Sequence, residues 1–219
     1  MAKAGAASRM TDAGTPRSSE TRRRLVQAAV ATLREEGFVG ASARAIAERA
    51  DANQGLIFYH FGSVTNLLLA ALDAVSDERL EHYSAAVNGV HSPGELVDVA
   101  TAIFREDLDA GYVTVLAEMI AGASSTPGLG PAVAARIEPW TEFTKQAIER
   151  LLGDGPFGAL LPAEGVAYGI VALYLGLEML SHLTGDQAPA LELLTHAKSM
   201  AGLFDMVNGS TTKTTKETT

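Results

Sequence analysis

Residues Phe38 to Phe61 constrain the fold more tightly than any other stretch of the chain. Two short helices fit into them, separated by a turn of about three residues, which is the outline of a helix-turn-helix. Ser42 supplies the capping oxygen of the first, and Ile46, Ala47 and Ala50 form its buried side. Asn53 caps the second, whose opening turn is Gln54, Gly55 and Leu56, and Ile57 and Phe61 point inward at spacing four. Such a motif can place a helix end in a DNA groove, so double-stranded DNA is the leading candidate ligand. Gly55 inside a helix costs about 1 kcal/mol relative to alanine. A residue without a side chain suits a place where the backbone must approach something closely, either DNA or the preceding helix.

Helical periodicity runs through nearly all of the remaining chain, and no alternating run predicts a strand. The sequence predicts about nine helices. The first starts at Ser19–Thr21, carries Leu25, Ala29 and Leu33 at spacing four, and ends at Gly37, with Phe38 folded back over its end. Ser63 caps a long fourth helix reaching Asn88. Pro93 opens a fifth, and Tyr112 to Ala121 makes a sixth. Pro131 opens a seventh that runs to Leu152 with a bend at Pro139, and Gly153 to Gly158 is a loop. Pro162 opens an eighth ending at Thr184, and Pro189 opens a ninth ending near Val207. The fold class is therefore all-α. An N-terminal three-helix head (residues 19–66) joins through the fourth helix to a C-terminal helical body (67–207). Polar segments at 1–18 and 208–219 have the composition of disordered chain.

Charge divides the chain in the same way. Up to Val75 there are nine basic and seven acidic residues; beyond it there are eight and nineteen. A mildly basic head on a strongly acidic body leaves only the head able to face phosphate. Arg22, Arg23 and Arg24 open the first helix, as a solvated face or as phosphate contacts. The absence of cysteine excludes disulfides, thiolate metal sites and cysteine nucleophiles. No apolar run is long and clean enough to predict a membrane span. The first twenty residues have no hydrophobic block of the secretory type. A cytoplasmic protein without metal or cofactor is the expectation.

Gly37-Phe38, the run Ser42-Ala43-Arg44-Ala45-Ile46-Ala47 and the run Gly55-Leu56-Ile57-Phe58-Tyr59-His60-Phe61 together resemble the tetracycline-repressor (TetR) family of bacterial transcriptional regulators. The resemblance covers about Glu20 to Asp73. It implies a homodimer on a near-palindromic operator, whose body holds a small apolar effector and releases DNA when the effector binds. It makes Ser42 a phosphate contact and Arg44 a base or groove contact. Asn53, Gln54 and Gly55 become the opening of the recognition helix, and Tyr59 and His60 contacts near its end. Three positions depart from the family's habit. Phe58 stands where tyrosine is usual, Val64 where lysine is usual, and Asp51 where a glycine is usual in the turn. Fewer phosphate contacts imply a shallower salt dependence of DNA binding.

In the body, Gly165, Gly169, Ala172 and Gly176 fall on one face of the eighth helix, flanked by Leu173, Leu180 and Leu183. Three glycines in one helix cost roughly 3 kcal/mol against alanine, so tertiary contact must offset them. With Leu191, Leu194, Ala201 and Phe204 of the ninth helix they form a candidate dimer surface; close packing inside one subunit is the rival. Phe104, Glu118, Met119, Trp140, Phe143, Tyr174, Glu178 and His182 are candidates for an effector cavity, with Glu178 and His182 facing solvent or forming a satisfied internal pair as the alternatives. Glu178 and His182, four apart, are able to touch. One Glu and one His are too few for a metal site. The sequence leaves open a regulator of opposite logic, an activator or one that binds DNA only with its ligand. It also leaves open a helical-bundle enzyme and an interaction module with a vestigial head.

Overall fold

The computed structural model describes residues 16–152 and 162–214, with side chains described for 16–151 and 162–203. Ten helices make up these residues: α1 (Pro16–Gly40), α2 (Ala43–Arg49), α3 (Gly55–Phe61), α4 (Val64–Asn88), α5 (Pro93–Ala110), α6 (Tyr112–Ala123), α7 (Leu129–Ala134), α8 (Glu138–Leu152), α9 (Ala163–Thr184) and α10 (Ala188–Thr214). No strand occurs among them, as the sequence predicts.

The boundaries correct several expectations. α1 begins at Pro16, ahead of Ser19. Proline tolerates a first helical position because the N–H it lacks would be unpaired there. The Ser19 and Thr21 hydroxyls do not cap; they donate back to the carbonyls of Pro16 and Arg17 at 2.9 and 3.0 Å. The single helix expected from Pro131 to Leu152 is two, α7 and α8, which raises the count from nine to ten. Pro139 is the second residue of α8 and so helps start a helix rather than bend one. α10 runs past Val207 to Thr214. The expected arm through residue 15, the loop Gly153 to Gly158 and the tail from 215 lie outside the described residues. By length and composition α9 could cross a membrane, contrary to the sequence reading; it is the one such unbroken helix among the described residues.

One apolar core binds head to body. Leu25, Ala29 and Leu33 of α1, Ile46 of α2, Ile57 of α3 and Leu67, Ala71 and Val75 of α4 continue into Val115 and Met119 of α6 and Leu129 and Val133 of α7. α1 turns at Gly37, whose φ of +73° suits glycine. The N–H of Phe38 then donates to Glu118 Oε2 of α6 at 2.7 Å. The Phe38 ring lies on Gly122 so closely that a β-carbon there would fall 2.4 Å from it. Head and body are therefore locked at the end of α1 as well as through α4.

Candidate nucleic-acid interface and ligand cavity

α2 is positioned by its Ser42 cap and by buried Ile46 and Ala47, and α3 by buried Ile57. Ser42 Oγ accepts the Ala45 N–H at 3.2 Å. Asn53 Oδ1 accepts the Gly55 N–H at 2.8 Å, which organises the entry of α3. Between the helices Asp51 takes φ +46°, the left-handed region. Arg24 of α1 holds this turn by donating through Nη2 to the carbonyls of Ala50 and Asp51. Arg23 pairs with Glu20 at 2.8 Å, and Arg22 lies 5.0 Å from the Phe61 ring centroid. Arg49 is occupied by Glu35 and Glu36.

Ser42, Arg44, Asn53, Gln54, Gly55 and Tyr59 are all exposed on one edge, and His60 is half-buried beside them. Tyr59 is 77 % exposed, its ring edge-on to His60 at 4.9 Å. An added β-carbon at Gly55 would meet only Asn53 Oδ1, at 3.1 Å, so α1 is not what Gly55 makes room for. A cation without an ion pair among the described residues, two amides and a phenol thus stand exposed on α2, α3 and the turn between them.

The body contains a partly open cavity of about 160 Å³. Its wall on α4 is the stripe Leu72, Val75, Ser76, Arg79, Tyr83 and Val87, and α5, α6, α7, α8 and α9 close the rest. Of the expected effector residues, Trp140, Phe143 and Tyr174 line it. Phe104 is buried behind, edge-on to Tyr174 at 5.8 Å. Four expectations are corrected. Glu118 is bound to the Phe38 backbone, and Met119 is in the core shared with the head. His182 is exposed and makes no ion pair with Glu178. Glu178 is buried beneath the cavity wall and pairs with Arg79 instead.

Arg79, on the stripe of α4, was not anticipated, nor was its partner Asp107. Its guanidinium donates through Nε and Nη2 to Asp107, with Nε–Oδ1 at 3.0 Å, and through Nη2 to Glu178 Oε1 at 3.2 Å. Tyr83 donates to Asp107 Oδ1 at 2.7 Å and Tyr174 to Oδ2 at 3.3 Å. The Arg79 guanidinium also lies 4.7 Å from the Trp140 ring centroid, and the Trp140 Nε1–H is fixed on Ser76 Oγ at 2.7 Å. Burial, then the nearby Asp107 carboxylate, pushes the Glu178 carboxyl up to about 8 against the opposing pull of Arg79. Burial likewise raises the Tyr83 and Tyr174 phenols. Burial alone would lower the Arg79 value, but Glu178 and Asp107 outweigh it and the net shift is upward. The available sequence signal was a charged residue inside the apolar 3–4 spacing Leu72, Val75, Arg79, Tyr83, Val87.

Residues 25–71 match the family model of bacterial regulatory proteins of the tetR family. Over those residues the chain is similar to the TetR family. An uncharacterized HTH-type transcriptional regulator of Mycobacterium tuberculosis is 30% identical over 139 residues, 63% of this chain and 63% of that protein's own length. A TetR-family member of known structure from Streptomyces coelicolor is 27% identical, with a TM-score of 0.60 over 81% of this chain and 98% of that one. A TetR-family regulator from Cytophaga hutchinsonii shares the fold at 17% identity, with a TM-score of 0.71 over 86% and 96% of the two chains. Against the TetR pattern, Phe58 is 52 % exposed without a hydroxyl, and Val64 opens α4 without an ammonium.

The glycine face of α9 points outward. Gly165, Gly169, Ala172, Leu173, Gly176 and Leu180 are exposed, and added β-carbons at Gly169 and Gly176 would meet nothing within 4 Å. Close packing within the chain therefore does not explain the glycines. On α10 the expectation is corrected: Ala201 is buried and Leu191 and Leu194 are half-buried, because that side of the helix packs on α5. Lys198 reaches Asp98 of α5 at 2.7 Å. The outward residues of α10 are Leu193, Met200 and Leu203. The side chain of Phe204 lies outside the described residues.

Proposed function

We propose that the protein is a DNA-binding transcriptional regulator of the cytoplasm. It acts as a homodimeric repressor that leaves its operator when a small molecule fills the body cavity. The observation that carries this reading is the open edge of α2 and α3, where Arg44, Asn53, Gln54 and Tyr59 stand exposed above a rigid buried support. Amide side chains at a helix entry can read adenine edges, while ring and hydroxyl groups nearby can meet phosphate. Two such heads about 34–36 Å apart would meet successive major grooves on one side of the duplex. The outward small-residue and leucine face of α9, continued by Leu193, Met200 and Leu203 of α10, supports self-association. A ligand that prefers a body conformation with different head spacing would withdraw the protein from DNA, to the extent of its differential affinity.

Fluorescence anisotropy at moderate salt, with the duplex flanking the protein's own gene against random duplex, tests the reading. A clear preference for the flanking DNA is expected, and equal affinity for both rejects it. Gln54→Ala should change which operator variants bind, by about 1–3 kcal/mol at the position it reads, whereas His60→Ala should weaken all of them alike. A uniform loss for Gln54→Ala removes it from base reading. Tighter DNA binding upon ligand addition would make the protein a ligand-requiring binder instead of a releasing one.

A further inference from the structure

Resting on the reading of the cavity as an effector site, we infer that its ligand is an uncharged molecule of about one aromatic ring, bearing an acceptor oxygen held by Arg79. Size comes first. A cavity of about 150 Å³ lined by apolar side chains accommodates benzene, and this one measures about 160 Å³.

Charge decides the rest. The charged residues among the described lining are Arg79 and Arg136, both cations, and no carboxylate faces the space. A cationic ligand would therefore meet two guanidiniums with no counter-ion within the cavity. An anionic ligand would meet cations that are already partnered. Arg136 is paired with Asp73, and Arg79 with Asp107 and Glu178. With Asp107 already balancing Arg79, an added negative charge would be left unbalanced among mostly apolar side chains, which is costly. Arg79 keeps one resource: its bonds to Asp107 and Glu178 use Nε and Nη2, and Nη1 takes part in none of them. Trp140 and the Asp107 carboxylate hold the guanidinium plane in place, and Arg79 lines the mostly apolar cavity, so Nη1 is a donor available to an occupant. A ketone, ester or amide oxygen fits it without adding charge.

The chain's single tryptophan lines the cavity, so its indole N–H resonance reports occupancy. The full-length protein would be titrated with acetophenone, ethylbenzene, benzoate and benzylammonium, following that resonance and the heat of binding. Acetophenone should move the Trp140 resonance and bind about tenfold more tightly than ethylbenzene, the size of effect of one hydrogen bond to a charged donor. Both ions should bind more weakly than acetophenone. Benzoate or benzylammonium binding as tightly as acetophenone overturns the inference, as does parity between acetophenone and ethylbenzene or no binding of acetophenone. Arg79→Lys, which retains a cation but loses the fork, should abolish the preference for the ketone. If that variant does not fold, the ranking on the native protein remains decisive. Affinity for DNA without ligand is measured separately, so failure here leaves the DNA-binding reading standing, and failure there leaves this one standing.

Discussion

Glu178 shows how one side chain carries a property of the whole body. Its Oε2 is buried without a hydrogen-bond partner, and its carboxyl is pushed from an ordinary 4.5 up to about 8. The folded state therefore holds a proton that the unfolded chain releases between those values. The stability this adds is fully present below about pH 4.5 and is lost as pH rises through about 8. Glu178→Gln, neutral throughout, should flatten this fall, so that thermal unfolding shows the variant gaining on the native protein between about pH 4.5 and about pH 8. Parallel curves would rule out Glu178 as the titrating group. Asp51 is a second case, at φ +46°. Asp51→Gly relieves the left-handed strain but adds unfolded-state entropy, so stability should change by less than about 1 kcal/mol. DNA affinity at low salt should nevertheless rise, because a fully exposed carboxylate leaves the phosphate-facing turn. Unchanged affinity would place Asp51 away from the duplex.

At the scale of elements, α6 has two faces. Tyr112 and Leu116 border the cavity, while Val115, Glu118, Met119 and Gly122 hold the end of α1. α4 shares this duality, with Leu67 and Leu68 in the head core and Arg79 and Tyr83 on the cavity. A change in the cavity thus has two packed routes to the head. Gly122→Ala would drive a methyl group into the Phe38 ring and should destabilise the protein by about 1–3 kcal/mol, read by chemical denaturation. A neutral result would mean that Phe38 has room to move. The helix-turn-helix was legible because Ser42, Asn53, Ile46 and Ile57 act locally, through caps and spacing. The split between α7 and α8 was not, because a proline near a helix start and a proline at a bend look alike in sequence.

For the whole molecule, the outward face of α9 is the largest departure from an ordinary water-facing surface. Leu180 is 61 % exposed and Leu183 74 %, beside glycines with nothing against them. Contiguous apolar surface of this kind marks an interaction site. Leu173→Arg, at the centre of that face, should leave the helical content intact and shift the proposed dimer to monomer in sedimentation velocity. It should also reduce operator affinity by orders of magnitude, since one head alone makes half the contacts. A dimer of unchanged stability would move the self-association surface elsewhere.

The chain's own order determined the all-helical class, the helix-turn-helix of the head and the alignment of small residues along one face of α9, because each depends on neighbours within a few residues. Tertiary structure alone decided which polar groups meet. Glu178 pairs with Arg79, 99 residues away, rather than with His182 one turn along its own helix. Glu118 serves the backbone of Phe38 rather than a ligand. A buried charge must find an opposite charge wherever the fold brings one, and sequence spacing carries no record of a partner on another helix.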